Sequence, residues 1–218
     1  MTSPPRGGAG GDRADGSLGN APAVPAWRTG LPTYTGSLIG VREVRPDDAV
    51  ALYEALATKE VTRFISPPPQ TVSGFSEFIA RCQDQRAQGK YACFVVVPRG
   101  SDAPIGLFHV RSLDPWFAAA EWGFAIAPEF WGTGVFADAA RLVANFTFTT
   151  LGSHRLEARV AVSNERANGA LRKLGAGMEA LLRHSLQRPG EQLDQALWTI
   201  VADEWPPDRR SASADTVH

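Results

Sequence analysis

The chain has 218 residues and a formal net charge of −1, with 22 basic against 23 acidic side chains. The two signs are interspersed, so no basic field points to nucleic acid or an anionic membrane, and no apolar run approaches the ~20 residues that span a bilayer. Two cysteines and four scattered histidines offer no metal-ligand spacing, and Cys82 and Cys93 read as small buried apolar residues in a cytoplasmic protein.

Residues 1–32 are dense in Gly, Pro, Ala and Asp. Such a segment buries too little apolar surface to offset its ordering entropy, so a disordered tail is expected there. Residues 206–218 read as a second flexible tail, leaving one domain over 33–205. That domain opens with a strand, Ser37 to Val44, before Arg45-Pro46. Ala49, Leu52, Tyr53 and Leu56 recur at helical spacing, and the turn Ser66-Pro67-Pro68-Pro69 ends the region, since proline cannot continue a helix. Phe75, Phe78, Ile79 and Cys82 mark one face of a second helix, stopped at Gly89.

Three strands follow: Tyr91 to Val97, Ile105 to Arg111 after a turn at Ser101-Asp102, and Ala119 to Ala127, ended by Pro128. A long helix is expected from about Thr133 to Thr150, with Val135, Ala139, Leu142, Val143 and Phe146 as its buried stripe. Beyond Gly152, Leu156, Ala158, Val160 and Val162 alternate with Glu157 and Arg159 as in a half-buried strand. A short helix, Glu165 to Leu174, ends at a Gly175 cap. Strands at about Met178 to Gln187 and Gln192 to Ala202 close a hairpin at Arg188-Pro189-Gly190. The order β-α-α-β-β-β-α-β-α-β-β argues for an α/β (α+β) domain with a mixed, mostly antiparallel central sheet and helices on both faces.

The chemistry concentrates at Glu129-Phe130-Trp131-Gly132-Thr133-Gly134-Val135, between a strand and the long helix. Glycine admits close backbone approach, and a helix start presents unpaired N–H groups backed by the positive dipole end. The combination suits an anion, above all a pyrophosphate; a tight turn with glycine used for sterics is the other reading.

The wider pattern resembles the GNAT superfamily, in its RimJ/RimL-like branch of ribosomal-protein N-terminal acetyltransferases. The resemblance is carried by Glu121-Trp122-Gly123-Phe124, Trp131-Gly132-Thr133-Gly134, Asn164 to Ala167 and Leu171 to Ala176, with Ile105-Gly106-Leu107 before them and Asp194, Trp198 and Glu204-Trp205 after. It covers roughly Val41 to Trp205. Three positions depart from the family pattern: Glu129 replaces Gln or Arg, Ala167 replaces Ser, and Ala176 replaces Phe.

The resemblance implies the GNAT acyl-CoA N-acyltransferase fold, acetyl-CoA as co-substrate and no metal. It assigns the amides of Phe124, Ala125 and Ile126 to the pantetheine and thioester, and those of Trp131, Gly132, Thr133, Gly134 and Val135 to the pyrophosphate. Asn164 would bond the pantetheine from across a gap, or serve as an ordinary helix N-cap. Glu121 would be the general base, unless it pairs with an arginine such as Arg111. Ser163 would donate to the departing thiolate, or cap a strand end. His109 and His184 are candidates for the acceptor cleft, as are Trp116 and Phe117. Arg166 and Arg172 are candidates for the nucleotide phosphates. The implied acceptor is a primary amine, a protein N-terminus or a small amine; a non-catalytic acyl-CoA-binding module is the reading from another class. Exposed sheet edges in this fold leave room for a homodimer.

Overall fold

The computed structural model describes residues 24–65, 68–188 and 190–206. Ser66 and Pro67 of the proline turn, Pro189 of the hairpin turn, and the tails at 1–23 and 207–218 lie outside the described residues. Eight strands form one sheet: β1 (Tyr34–Thr35), β2 (Ile39–Glu43), β3 (Tyr91–Pro98), β4 (Gly106–Ser112), β5 (Ala119–Ile126), β6 (Arg155–Ala161), β7 (Gly177–Arg188) and β8 (Glu191–Val201). Their spatial order is β1-β2-β3-β4-β5-β6-β8-β7. Every neighbouring pair is antiparallel except β5 and β6, as the mixed, mostly antiparallel expectation requires.

Helices α1 (Ala49–Leu56), α2 (Lys59–Thr62), α3 (Val72–Ala87), α4 (Val135–Thr149) and α5 (Glu165–Leu174) supply the rest. The period-two alternation of the strands divides the apolar residues between two cores. One core joins α4 and α5 to Phe94, Phe108, Trp122, Leu156 and Trp198. The other joins α1 and α3 to Cys93, Val95, Val97 and Leu107 on the opposite face. Both cysteines are buried and unbridged.

Three local features went unread in the sequence. The two-residue strand β1 is too short to show alternation. The single turn of α2, capped by Thr58 Oγ1 accepting from Val61 N, is too short to show helical periodicity. The expected tail over 1–32 also ends too late, because residues 24–32 belong to the fold. Trp27 is buried, edge-on to Phe117 at 5.7 Å. Arg28 donates from Nε and Nη2 to the Ala87 carbonyl at 3.1 and 2.9 Å, placing a cation at the negative end of α3.

Candidate active site

Strands β5 and β6 pair only at Ala119–Glu121 against Arg155–Glu157. Beyond that point β5 continues along β4 to Ile126 and β6 continues along β8 to Ala161, so a gap opens between them. Antiparallel ladders alternate the side to which successive residues turn their backbone groups. Ala127 N donates to Ile105 O, and Leu113 N to Ala119 O, at 2.8 and 2.9 Å. Odd-numbered residues of β5 therefore bond to β4, while Trp122, Phe124 and Ile126 present their N–H and C=O to the gap. The backbone of Ala125, expected to serve the cofactor, faces Leu107 instead.

The gap leads to a cleft of about 840 Å3 between β5, the α4 start and α5. A turn of 3-10 helix, Pro128–Phe130, engages the Trp131 amide with the Pro128 carbonyl at 3.1 Å, so that amide is not available to a ligand. The Trp131 indole folds back and donates Nε1–H to the Ile126 carbonyl at 2.8 Å. Gly132 and Gly134 both take left-handed φ, 77° and 91°, which L side chains rarely adopt. This pair of residues delays α4 to Val135, two residues later than the sequence pattern indicates.

The two helices that open onto the cleft are capped differently. At α5 the Asn164 Oδ1 accepts from Ala167 N at 3.1 Å, an ordinary cap. At α4 the cap position is Gly134, which has no side chain to offer. Among the described residues the amides of Gly132 through Ala137 make no hydrogen bond. A run of six unpaired amides at the positive end of a fifteen-residue helix fits a pyrophosphate. Arg141, Arg166 and Lys173 also line the cleft, and none has a carboxylate within 4 Å among the described residues. The Arg166 guanidinium lies 3.8 Å from the Trp131 ring centroid, a cation–π contact.

Of the residues singled out in the sequence, Phe124, Ala125, Ile126, Trp131, Gly132, Gly134, Ser163 and Asn164 line the cleft. Thr133 holds the turn, its Oγ1 donating to Phe130 O at 2.7 Å. Glu121 stands apart, on the stretch where β5 and β6 still pair. Its carboxylate meets Arg111 Nη2 at 3.0 Å and Arg159 Nε at 3.2 Å.

His109 lies under Tyr91, the rings stacked at 5.3 Å, against Gly123. Burial, and secondarily the Arg111 charge, pushes its pKa down to about 4. His184 sits at the irregularity between Leu182 and Leu186, with φ 51° and its amide on Asp194 Oδ1. Phe117 is buried against Trp27, whereas Trp116 is 84% exposed. Arg172 rests over Trp198.

The sequence reading missed Asn168. Its Nδ2 donates to the carbonyls of Ala161, Val162 and Asn164, and its Oδ1 accepts from Trp198 Nε1 at 2.7 Å. That side chain ties the first turn of α5 to the end of β6 and to β8. It also missed Glu60, Arg63 and Phe64, which approach the cleft from the α2 segment. The polar stretch before the prolines was their only sequence signal. A second pocket, about 770 Å3, adjoins the cleft through Arg63, Phe64 and Ser163. Among the described residues there is no metal-binding cluster, and no helix is long and apolar enough to cross a membrane.

The acetyltransferase (GNAT) domain family matches residues 39–177. The uncharacterized N-acetyltransferase p20 of Bacillus licheniformis is 27% identical over 173 residues, 79% of this chain and 97% of that protein. RimJ of Mycobacterium smegmatis, solved in complex with CoA-disulfide, superposes with a TM-score of 0.72 at 22% identity, covering 82% of this chain and 90% of that one. The ribosomal-protein-S5-alanine acetyltransferase of Vibrio fischeri gives 0.70 at 21%, covering 80% and 99%. With its uncapped helix start at the mouth of a strand gap and a family match over residues 39–177, the chain belongs to the GNAT acetyltransferase family as an acetyl-CoA-dependent N-acetyltransferase.

Proposed function

We propose that the protein acetylates the α-amine of a peptide or protein N-terminus in a ternary complex. The observation that carries this reading is the second pocket, which meets the cofactor cleft at Ser163 and has room for several residues of chain. An acceptor held in it meets the cofactor cleft at the residues the two share, Arg63, Phe64 and Ser163, and direct attack requires both substrates bound side by side. The name of the S5-alanine acetyltransferase, a neighbour in fold, agrees with this acceptor. The chemistry does too: an α-amine has a pKa of about 7.7–8.0, so a useful fraction is neutral near pH 7, unlike a lysine amine near 10.4.

Bound acetyl-CoA supplies the thioester; its acetyl group passes to the amine nitrogen, and the proton that nitrogen sheds ends on the CoA thiol. In this reading the amides of Gly132 to Ala137 hold the pyrophosphate, and Arg141, Arg166 and Lys173 neutralise the nucleotide phosphates. The gap-facing amides of Phe124 and Ile126, with Asn164 Nδ2 opposite, hold the pantetheine. The Ser163 hydroxyl, at the junction of the two pockets, donates to the departing sulfur. Glu121 secures the last paired stretch of β5 and β6 through its two arginines. We place the enzyme in the cytoplasm, with the outer edge of β7 as the place for a second copy.

Calorimetry with acetyl-CoA, for wild type and Arg166→Glu, tests the cofactor assignment; roughly tenfold weaker binding by the variant, diminishing in salt, is expected. Thiol release then compares a peptide with a free N-terminus, the same peptide N-blocked but carrying lysine, and spermidine. Turnover confined to the free N-terminus supports the reading, and faster turnover of spermidine overturns it.

A further inference from the structure

The second pocket extends the basic lining of the cofactor cleft to the acceptor side. Lys59 and Arg63 from the α2 segment, and Arg188 from the β7–β8 hairpin, line it together with the single carboxylate Glu191. Several other arginines are paired, Arg42 with Asp48 and Asp102, Arg111 and Arg159 with Glu121, and Arg155 with Glu157 and Glu179, whereas among the described residues Arg141 and Arg166 of the cofactor cleft share the unpaired state. Among the described residues none of Lys59, Arg63 and Arg188 has a carboxylate within 4 Å. Arg188 Nη1 donates to the Arg63 carbonyl, and the Arg63 guanidinium lies 4.9 Å from the Phe64 ring centroid. Neither contact neutralises a charge. Three cations thus converge on a pocket whose walls hold one anion.

We infer that this pocket selects acceptors with carboxylates close to the reacting amine: N-terminal segments bearing Asp or Glu in their first few positions. The inference rests on the peptide-acetylating reading above and narrows its substrate class. A concave site lined by one sign of charge concentrates the opposite sign and disfavours its own. A polyamine or a lysine-rich N-terminus meets three like charges before it reaches Ser163. An acidic N-terminus supplies the carboxylates these side chains lack, while its α-amine continues toward the gap.

The test uses three peptides, Ala-Asp-Glu-Ala, Ala-Ala-Ala-Ala and Ala-Lys-Lys-Ala, assayed with acetyl-CoA at low ionic strength and again at high salt. The expected order of kcat/KM is acidic over neutral over basic, with at least a tenfold span that contracts as salt screens the pocket. Lys59→Glu, at an exposed position outside the cofactor cleft, is expected to shrink the span about tenfold with acetyl-CoA affinity retained. Lys59→Gln should give an intermediate span. Peptides within twofold of one another, or a preference for the basic one, overturn the inference. Calorimetric binding of the same peptides to the CoA-bound protein separates the two failures. Charge-ordered binding without turnover sustains the charge selection and sinks the acetylation reading. Equal turnover of all three sustains the reading and sinks the selection.

Discussion

Trp131→Phe tests whether the cofactor turn is fastened to the gap by one hydrogen bond. Phenylalanine keeps the ring that stacks under Arg166 and packs against both cores, but it removes the Nε1–H that meets the Ile126 carbonyl at 2.8 Å. A neutral hydrogen bond of this kind contributes about 0.5–1.5 kcal/mol. The Ile126 carbonyl, turned into the gap, is left without its partner. Urea unfolding should therefore show a loss of about 1 kcal/mol. The glycine turn and the uncapped amides that follow are also less firmly held. If a similar energy appears in binding, acetyl-CoA affinity falls about fivefold, since ~1.4 kcal/mol is tenfold. Trp131→Ala also loses the ring, and a half-buried ring should cost roughly 2 kcal/mol, about half the figure for a core aromatic. A phenylalanine variant that matches wild type in both urea midpoint and calorimetric affinity would refute the fastening role.

Asn168→Ala should destabilise by roughly 2–3 kcal/mol in the same unfolding assay, because it leaves the buried Trp198 Nε1 unpaired and removes one donor from three carbonyls at the β6–α5 junction, of which those of Ala161 and Asn164 keep a backbone partner. Acid sensitivity should trace in part to His109. Its folded pKa of about 4 lies below the ordinary 6.5, so the unfolded state binds more protons between those values, and stability falls as pH drops from about 6.5 toward 4. The loss is at most roughly 3 kcal/mol; melts of wild type and His109→Phe across that range should diverge accordingly, with the variant flatter. Glu121→Gln should lower the melting temperature through its two arginine contacts while kcat falls less than about threefold. A loss of thirtyfold or more, accompanied by a changed acidic limb in the pH–rate profile, would instead make Glu121 the proton acceptor.

The strands and long helices were legible because each repeats a pattern over enough residues. The alternation of β6 and the apolar stripe of α4 are local signals, as is the Gly175 cap with its φ of 98°. Elements that form only against distant partners were not legible. Trp27 reads as part of a Gly/Pro-rich tail until Phe117 is there to receive it, and β1 exists only because Tyr34 finds Val41. The site divides the same way. The glycine turn and the Asn164 cap announce themselves in the sequence, since both follow from backbone conformation and capping. The parity that turns Phe124 toward the gap and Ala125 away is set by the register with β4. The two arginines on Glu121 and the meeting of Lys59, Arg63 and Arg188 likewise depend on tertiary placement.

The gap itself follows from how the two halves of the sheet are fastened. Phe136, in the first turn of α4, packs on Phe124 with ring centroids 4.7 Å apart and on Phe108 at 5.7 Å, so α4 travels with β4 and β5. Asn168 and Arg172, on α5, both engage Trp198 of β8, so α5 travels with β6 and β8. Each helix start is thus anchored to its own half-sheet, and the ladder between the halves stops three residue pairs after it begins. Closing the gap would require β5 to pair along Phe124 and Ile126, and the second of these already gives its carbonyl to Trp131. The opening is held by packing on both sides and by the hydrogen bond that occupies the Ile126 carbonyl, so the cleft is built into the fold before any cofactor enters.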